Sequence, residues 1–94
     1  MASFTIRVEL HNADSDDYEE LHKEMSGKGF RRTIISGDGV KYQLPDAEYN
    51  YSGETTRDDV LDKAYTTANS IKANPRVLVT ESLGRRWKGL RKLD

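Results

Sequence analysis

An alternation of apolar and polar residues opens the chain. Phe4, Ile6, Val8 and Leu10 stand at every second position, which places them on one face of an extended strand. A period of two is typical of a strand with one buried face. The sequence therefore predicts a first strand that ends at His11.

A helical spacing follows this strand. Tyr18, Leu21 and Met25 recur three and four residues apart, which gives a helix one apolar face. Ser15 is the predicted N-cap, because a hydroxyl at that position accepts a hydrogen bond from the first turn. The helix is expected to end at residues 26–29, where glycine adopts the left-handed conformation at little cost.

Extended segments occupy the middle of the chain. Residues 30–36 are rich in β-branched side chains and predict a second strand, and Gly-Asp-Gly at 37–39 predicts a tight turn. Pro45 then interrupts residues 40–52, because proline donates no hydrogen bond to a neighbouring strand. We interpret residues 40–52 as one interrupted strand.

A second helix and a last strand complete the pattern. Thr55 or Thr56 is the predicted N-cap of the helix. Residues 76–81 form the last strand, and its apolar centre, residues 77–79, favours a central position in the sheet because both faces are apolar. The predicted buried face of the second helix comprises Val60, Leu61, Ala64, Ala68 and Ile71.

The order of these elements is β-α-β-β-α-β, followed by a short C-terminal extension. This is the split β-α-β pattern of ferredoxin-like domains. We therefore predict an α+β sandwich in which a four-stranded antiparallel sheet carries both helices on one face and leaves the other face open. A chain of 94 residues is expected to form a single domain over residues 1–94.

Composition excludes several classes of protein. The chain contains no cysteine, which excludes a disulfide scaffold and a thiolate metal site. No apolar run approaches the roughly 20 residues of a membrane span, and the first residues lack a signal-peptide pattern. We therefore predict a cytoplasmic protein with no membrane partner. The 15 basic and 16 acidic residues nearly balance, so there is no global signature of polyanion binding.

The charges are unevenly distributed along the chain. Residues 1–30 hold 7 acidic and 3 basic side chains, whereas residues 76–94 hold 6 basic and 2 acidic ones. Cations interleaved with an aromatic ring suit single-stranded RNA, because phosphates meet the cations and bases stack on the ring. The predicted nucleic-acid contacts are Arg7, Arg85, Arg86, Trp87 and Lys88.

Two alternatives to RNA binding remain open for the basic extension. It is a solvated tail if its tryptophan packs on the core or on a partner. It also complements the acidic N-terminal part of another copy, which predicts a homodimer.

Histidines and paired arginines are the candidate catalytic residues. His11 and His22 are the only histidines, and histidine is the commonest general base near neutral pH. Arg31 and Arg32 open the second strand, where they are expected to contact phosphate. The alternatives are that the histidines are structural boundary residues and that the arginines protect an edge strand from aggregation.

Glu9 is the one candidate metal ligand near the end of the first strand. Together with the aspartates that follow it, Glu9 offers oxygen ligands that suit magnesium. The alternative is that these aspartates cap the first helix and stabilise its N-terminus. Loops of the Walker, GxGxxG and GxSxG types do not occur in the sequence. We therefore predict no small-molecule cofactor, with magnesium as the open alternative.

The chain resembles the GhoS-type antitoxins, the endoribonuclease antitoxins of type V toxin–antitoxin systems. The resemblance covers about residues 3–87 and lies in FTIRVELHNADSDDYEELHKEM, GFRRTIISGDGVKYQLPDAEYNYSGETTRDDVLDKA and VLVTESLGRRW. It implies a ferredoxin-like fold. It also implies cleavage of the mRNA of a small membrane toxin.

The first functional hypothesis is therefore an RNA-binding antitoxin that acts as a sequence-selective endoribonuclease on a toxin mRNA. In such cleavage a 2′-hydroxyl attacks the adjacent phosphate, with His22 or His11 as the base. Arg31 and Arg32 would stabilise the charge that builds up on the phosphate oxygens. The alternative is a non-catalytic dimeric module that binds protein or nucleic acid on the same fold.

Overall fold

A computed structural model describes residues 1–93 of the protein, and Asp94, the last residue of the predicted domain, lies outside the described residues. The elements in chain order are β1 (Ala2–Glu9), α1 (Ser15–Gly27), β2 (Thr33–Ile35), β3 (Lys41–Gln43), β4 (Glu48–Gly53), α2 (Arg57–Ile71), β5 (Arg76–Ser82) and β6 (Arg91–Leu93).

β1 lies at the centre of the first sheet. It pairs antiparallel with β4 on one side and with β5 on the other, which gives the strand order β4-β1-β5. Ile6, for example, stands opposite Tyr49 of β4 and Val79 of β5. The apolar face predicted from the alternation is buried, since Phe4, Ile6 and Val8 have almost no exposed surface.

Both helices cover this buried face of β1. Leu21 and Met25 of α1 join the same buried cluster as Val60, Ala64 and Ala68 of α2. The two alanines bring the backbone of α2 close to the sheet because they have short side chains. Neither helix of residues 1–93 is long and apolar enough to cross a membrane.

The structure differs from the prediction in its second sheet. Instead of one four-stranded sheet there are two three-stranded ones, and the second has the order β2-β3-β6. The run of residues 40–52 divides into β3 and β4 because Pro45 and Ala47, whose φ is 64°, interrupt it. The C-terminal extension returns as β6, whose Lys92 stands opposite Tyr42 of β3. The fold is therefore a compact α+β arrangement of two helices and two antiparallel sheets.

An isolated bridge joins the two sheets within residues 1–93. The N–H of Arg31 donates to the carbonyl of Asn50 at 2.8 Å, and the N–H of Asn50 donates to the carbonyl of Arg31 at 2.7 Å. One residue further on, the carbonyl of Arg32 accepts from the N–H of Leu44 at 2.8 Å. The chain therefore runs beside β4 for one residue pair and then leaves it to pair with β3.

The helix N-termini show which side chains act as caps. The N-cap of α1 is Asp14 and not Ser15, because the Asp14 carboxylate accepts from the N–H of Asp17 at 3.0 Å. The Asp17 carboxylate accepts in turn from the N–H of Asp14 at 3.1 Å, which completes a capping box. The N-cap of α2 is Thr56 and not Thr55, since the Thr56 hydroxyl accepts from the N–H of Asp59 at 3.2 Å.

β5 lies at an edge of its sheet, which corrects the central position predicted for it. β1 is its one partner strand in the described chain, and the Leu78 side chain is 64% exposed. Leu61 was predicted to lie in the core but is 36% exposed, on the rim of α2. Apolar side chains of β5 and of the adjoining part of α2 therefore remain accessible to solvent.

Substitutions at two adjacent positions of α2 test this placement. We expect Val60→Asp to unfold the protein, because an unpaired buried charge costs several kcal/mol out of a net stability of about 5–15 kcal/mol. Val60 is buried and Leu61 is not, so Leu61→Asp should keep a cooperative thermal transition. Melting followed by circular dichroism measures both variants, and a folded Val60→Asp variant would contradict the core described here.

Candidate functional site

A cleft lies between α1 and the turn that precedes β4. Its volume is about 510 Å³, within the range of small-molecule sites. Two of the four predicted catalytic residues, His22 and Arg32, lie in it. The lining residues are Ser15, Tyr18, Glu19, His22, Arg32, Asp46 and Ala47.

A buried tyrosine holds the His22 ring. His22 Nδ1 lies 2.6 Å from Tyr49 Oη, and Tyr49 is fully buried in the core. Burial strongly raises the pKa of Tyr49, so the phenol keeps its proton. Among the contacts described for residues 1–93, His22 Nδ1 is the only acceptor for that proton. The Tyr49 hydroxyl therefore donates to His22 Nδ1.

This hydrogen bond determines what His22 offers to a ligand. In a neutral imidazole one nitrogen accepts and the other carries the hydrogen, so Nε2 carries it here. Desolvation by burial, followed by the charge of Arg32, lowers the pKa of His22, although Asp46 and Glu19 oppose the shift. At neutral pH the ring is therefore neutral and presents an N–H. This geometry favours a hydrogen-bond donor at His22 over the general base predicted from the sequence.

Arg32 supplies positive charge beside His22. Its Nη2 lies 3.5 Å from Oδ1 of Asp46, which is highly exposed, so water screens the pair and it contributes little. Arg32 Nε is buried and has no hydrogen-bond partner within the described residues. The Arg32 side chain is 33% exposed, so its terminal Nη atoms, and not the buried Nε, are available to an anionic ligand in the cleft.

The turn that carries Asp46 has a strained backbone. Ala47 has a φ of 64°, in the left-handed region that costs a residue with a Cβ roughly 1–2 kcal/mol. Its carbonyl accepts from the N–H of Val8 at 3.0 Å, which ties the turn to β1. Strained residues of this kind cluster at functional sites. The tie to β1 fixes Asp46 at the rim of the cleft.

The C-terminal extension forms a second surface, on the opposite face of the first sheet. Arg85 Nε donates to Thr5 Oγ1 at 2.9 Å, and Thr5 alternates with the buried Phe4 and Ile6, so Arg85 lies on the face away from the helices. Burial lowers the pKa of Arg85, but a guanidinium stays charged in proteins. The extension is therefore anchored to the sheet by a charged side chain.

Two aromatic rings meet beside Arg85. Trp87 packs edge to face on Tyr42, with ring centroids 5.6 Å apart. Arg86 and Lys88 are exposed nearby in the chain. A shallow depression of about 340 Å³ joins these groups, and we call Tyr42, Arg85, Arg86 and Trp87 the C-terminal surface.

One acidic side chain, Asp38, shares this depression. A hydrogen bond from Ser36 lowers the pKa of Asp38, which keeps its carboxylate charged. A carboxylate repels anions and accepts hydrogen bonds. Asp38 therefore favours a hydrogen-bond donor over an anionic group at that point.

The remaining predicted residues lie outside both sites. His11 is exposed beyond the end of β1, and the contacts of Arg31 within the described chain are its backbone bonds to Asn50. Arg7 stands opposite Leu78 on β5. The structure therefore brings His22 together with Arg32 but not with His11 or Arg31.

Glu9 takes part in an ion pair. Arg76 Nη1 donates to Glu9 Oε1 at 3.0 Å. In residues 1–93 no group of three or more histidine, aspartate or glutamate side chains is arranged to hold a metal ion. The structure therefore gives no support to Glu9 as a magnesium ligand.

Sequence reasoning missed Tyr49 and Asp46. Tyr49 belongs to an alternating strand, and its hydroxyl needs a partner once that face is covered by helices. The only histidine on α1 is a natural partner, so the periodicity contained a signal for the His22–Tyr49 contact. No pattern in the sequence indicates Asp46, because its place depends on the strained turn at Ala47.

No protein-family model matches this chain, and no curated protein shows significant sequence similarity to it.

The lowered pKa of His22 predicts a pH-dependent stability. The unfolded histidine, with a pKa of about 6.5, takes up a proton before the folded one does. The free energy of unfolding should therefore fall as the pH drops through about 6.5 toward the lower folded-state pKa. We expect His22→Gln, which keeps a hydrogen-bonding group near Tyr49, to weaken this dependence.

Urea unfolding at several pH values between about 5 and 7.5 measures the effect. His11→Gln is the matched control, because it removes one exposed histidine outside the cleft. Identical pH dependence in the wild type and the His22→Gln variant would show that His22 is not held neutral.

Proposed function

We propose that this protein is a GhoS-type antitoxin that binds single-stranded RNA through its C-terminal surface. The proposal rests on the position of Arg85. Its Nε donates to Thr5 Oγ1 at 2.9 Å, beside the packed rings of Tyr42 and Trp87. The anchored cation binds the phosphate of an unpaired nucleotide, and the aromatic ring beside it stacks on the base.

The chemistry of the surface favours single strands over duplexes. Phosphate oxygens accept hydrogen bonds from Arg85 and Arg86, and a base stacks on the part of the Trp87 ring that remains accessible. In a duplex the bases are already stacked on one another and do not reach a protein ring. The surface therefore suits loops and unpaired segments of an RNA.

The resemblance of the sequence supports a toxin mRNA as the target and a ferredoxin-like fold as the scaffold. Strand order supports the same fold. With residue 31 bridged to β4, the order becomes β5-β1-β4-β2, so each β-α-β unit is split by one intervening strand. An mRNA target agrees with the predicted cytoplasmic location.

β2 connects the C-terminal surface with the cleft. Arg32 lines the cleft just before β2, and Ser36 lines the depression just after it. Four residues of extended chain span about 13 Å. An RNA segment of a few nucleotides, the usual footprint of such surfaces, is long enough to contact both sites.

The proposal predicts two different effects on RNA affinity. Trp87→Ala should weaken binding by about 1–3 kcal/mol, because a stacked base loses its platform. Arg86→Ala should weaken binding and also reduce the slope of log K against log salt by about 0.7, because one phosphate contact is lost. Fluorescence anisotropy of a labelled single-stranded RNA at several salt concentrations measures both quantities.

Lys23→Ala is the matched control for charge removal, since Lys23 is exposed on α1 and lies outside both sites. It should leave the affinity and the salt slope close to their wild-type values. Equal RNA affinity in the wild type and in the Trp87→Ala and Arg86→Ala variants would remove the C-terminal surface as the RNA site.

The cleft supports a second function, the cleavage of bound RNA. In this reaction the 2′-oxygen attacks phosphorus and the bond to the 5′-oxygen breaks, which leaves a 2′,3′-cyclic phosphate and a 5′-hydroxyl. Arg32 and the Nε2–H of His22 donate to the non-bridging phosphate oxygens as their charge increases. The carboxylates of Glu19 and Asp46 line the same cleft and accept the 2′-hydroxyl proton, and a water molecule supplies the proton that the departing 5′-oxygen takes up.

If the cleft cleaves RNA, substitutions in it should slow cleavage without weakening RNA binding. Arg32→Gln and His22→Gln should each slow cleavage of a toxin transcript by about 10²–10³-fold, the usual effect of losing one donor to a developing negative charge. Binding to the C-terminal surface should persist in both variants. Gel analysis of the transcript over time measures the rate, and His11→Gln should cleave at the wild-type rate. Intact RNA after prolonged incubation would favour the non-catalytic binding module.

A further inference from the structure

Within residues 1–93, the outer edge of β5 has no partner strand and presents unpaired backbone groups. β5 runs for seven residues and pairs with β1 on its other edge, so free N–H and C=O groups extend over about 24 Å. Edge strands are usually protected by charges at their centre, by proline or by a bulge. β5 has none of these between its ends, because its central residues 78–80 are uncharged, Pro75 precedes the strand, and the register with β1 is continuous.

A groove follows this edge on the helix side. It has a volume of about 390 Å³ and is lined by the polar or charged residues 56–58 at the start of α2 and by the apolar Leu61 and residues 77–79. Tyr65 is 40% exposed and lies one turn after Leu61 on the same face of α2. Exposed apolar side chains beside an unpaired strand mark an interaction surface for another protein strand.

We propose that this edge binds the same edge of a second copy of the chain, with the two β5 strands antiparallel about a two-fold axis. Such an interface satisfies the backbone groups of both copies at once. Charge also selects the antiparallel orientation. Arg76 begins the strand and Glu81 stands near its end, so parallel strands would bring like charges together at both ends, whereas antiparallel strands keep them apart.

The side chains select one register. Residues opposite each other in the joined sheet lie on the same face, so a residue of β5 must stand on the two-fold axis. With Leu78 on the axis, Leu78 faces its own copy and Val77 faces Val79. With Val79 on the axis, Val77 would face Glu81. Matching apolar side chains with apolar ones therefore places Leu78 on the axis.

This dimer joins the β4-β1-β5 sheets of the two copies into a single six-stranded sheet. The α2 helices of the two copies then lie side by side, and Leu61 and Tyr65 are covered. The interface differs from the homodimer predicted from opposite terminal charges, because it uses neither the acidic helix nor the basic extension. It is independent of the RNA proposal, since the four residues of the C-terminal surface lie outside it.

Sedimentation equilibrium of the full chain tests the association. We expect the wild type to sediment as a dimer of 10.7 kDa subunits, with dissociation on dilution. Leu78→Glu places two carboxylates against each other on the axis but a favourable charge opposite Arg7 within one subunit. It should therefore raise the dimer dissociation constant at least about tenfold and keep the fold intact.

Leu83→Glu is the matched control, because Leu83 is a fully exposed leucine just beyond the end of β5. It should dimerise like the wild type. A wild type that stays monomeric at all concentrations up to about 1 mM, where a Kd of 1 mM corresponds to only about −4 kcal/mol, would overturn the proposal. So would a Leu78→Glu variant, folded by circular dichroism, whose dimer is as tight as the wild type's.

Cysteine cross-linking tests the register in a chain that has no cysteine of its own. In the proposed dimer the two copies of residue 78 are directly opposite, with Cα atoms about 4.5–5.5 Å apart, within reach of a disulfide. The two copies of residue 80 are four residues out of register, about 14 Å apart. Leu78→Cys should therefore form a covalent dimer on mild oxidation and Thr80→Cys should not, and the reverse result would contradict this register.

Discussion

β1 makes backbone hydrogen bonds along both of its edges, to β4 and to β5, and places Phe4, Ile6 and Val8 beneath the two helices. Full burial of such a side chain contributes about 1.5–3 kcal/mol, so these three together match the net stability of a small domain. The other parts of the molecule take their places from this strand. β4 brings Tyr49 to the position where it holds the His22 ring, and β5 is left with one edge unpaired.

Side-chain periodicity predicts the strong elements of this fold, which are β1, both helices and β5, because each has a regular apolar face. It fails for residues 40–53, where the left-handed backbone of Ala47 separates two strands and no residue preference signals that conformation. It also misplaces β5. A run such as residues 77–79 shows that a strand is apolar on both faces, but not whether the strands beside it belong to the same chain. An edge strand that binds another strand would have the composition of a central strand.

The candidate site is predictable in part for the same reasons. His22 and Arg32 are identified by residue type, and the alternation of a strand allows only one of Arg31 and Arg32 to face the first helix. The contact between His22 and Tyr49 spans 27 positions of the sequence and depends on how α1 packs on β4. That packing decides which imidazole nitrogen is free. The contact therefore favours a hydrogen-bond donor at His22 over the base that residue type alone suggests.

The central place of β1 also has a consequence for the nascent chain. β1 leaves the ribosome before both of its partners, and the second of them, β5, ends at Ser82. At about 5–20 residues per second, the interval between Glu9 and Ser82 is roughly 4–15 s. During that time the apolar face of β1 has no complete sheet to join, and long-range pairing of this kind is slow to form. The first sheet therefore cannot be completed before Ser82 has been synthesised, and until then β1 is the segment most in need of a chaperone.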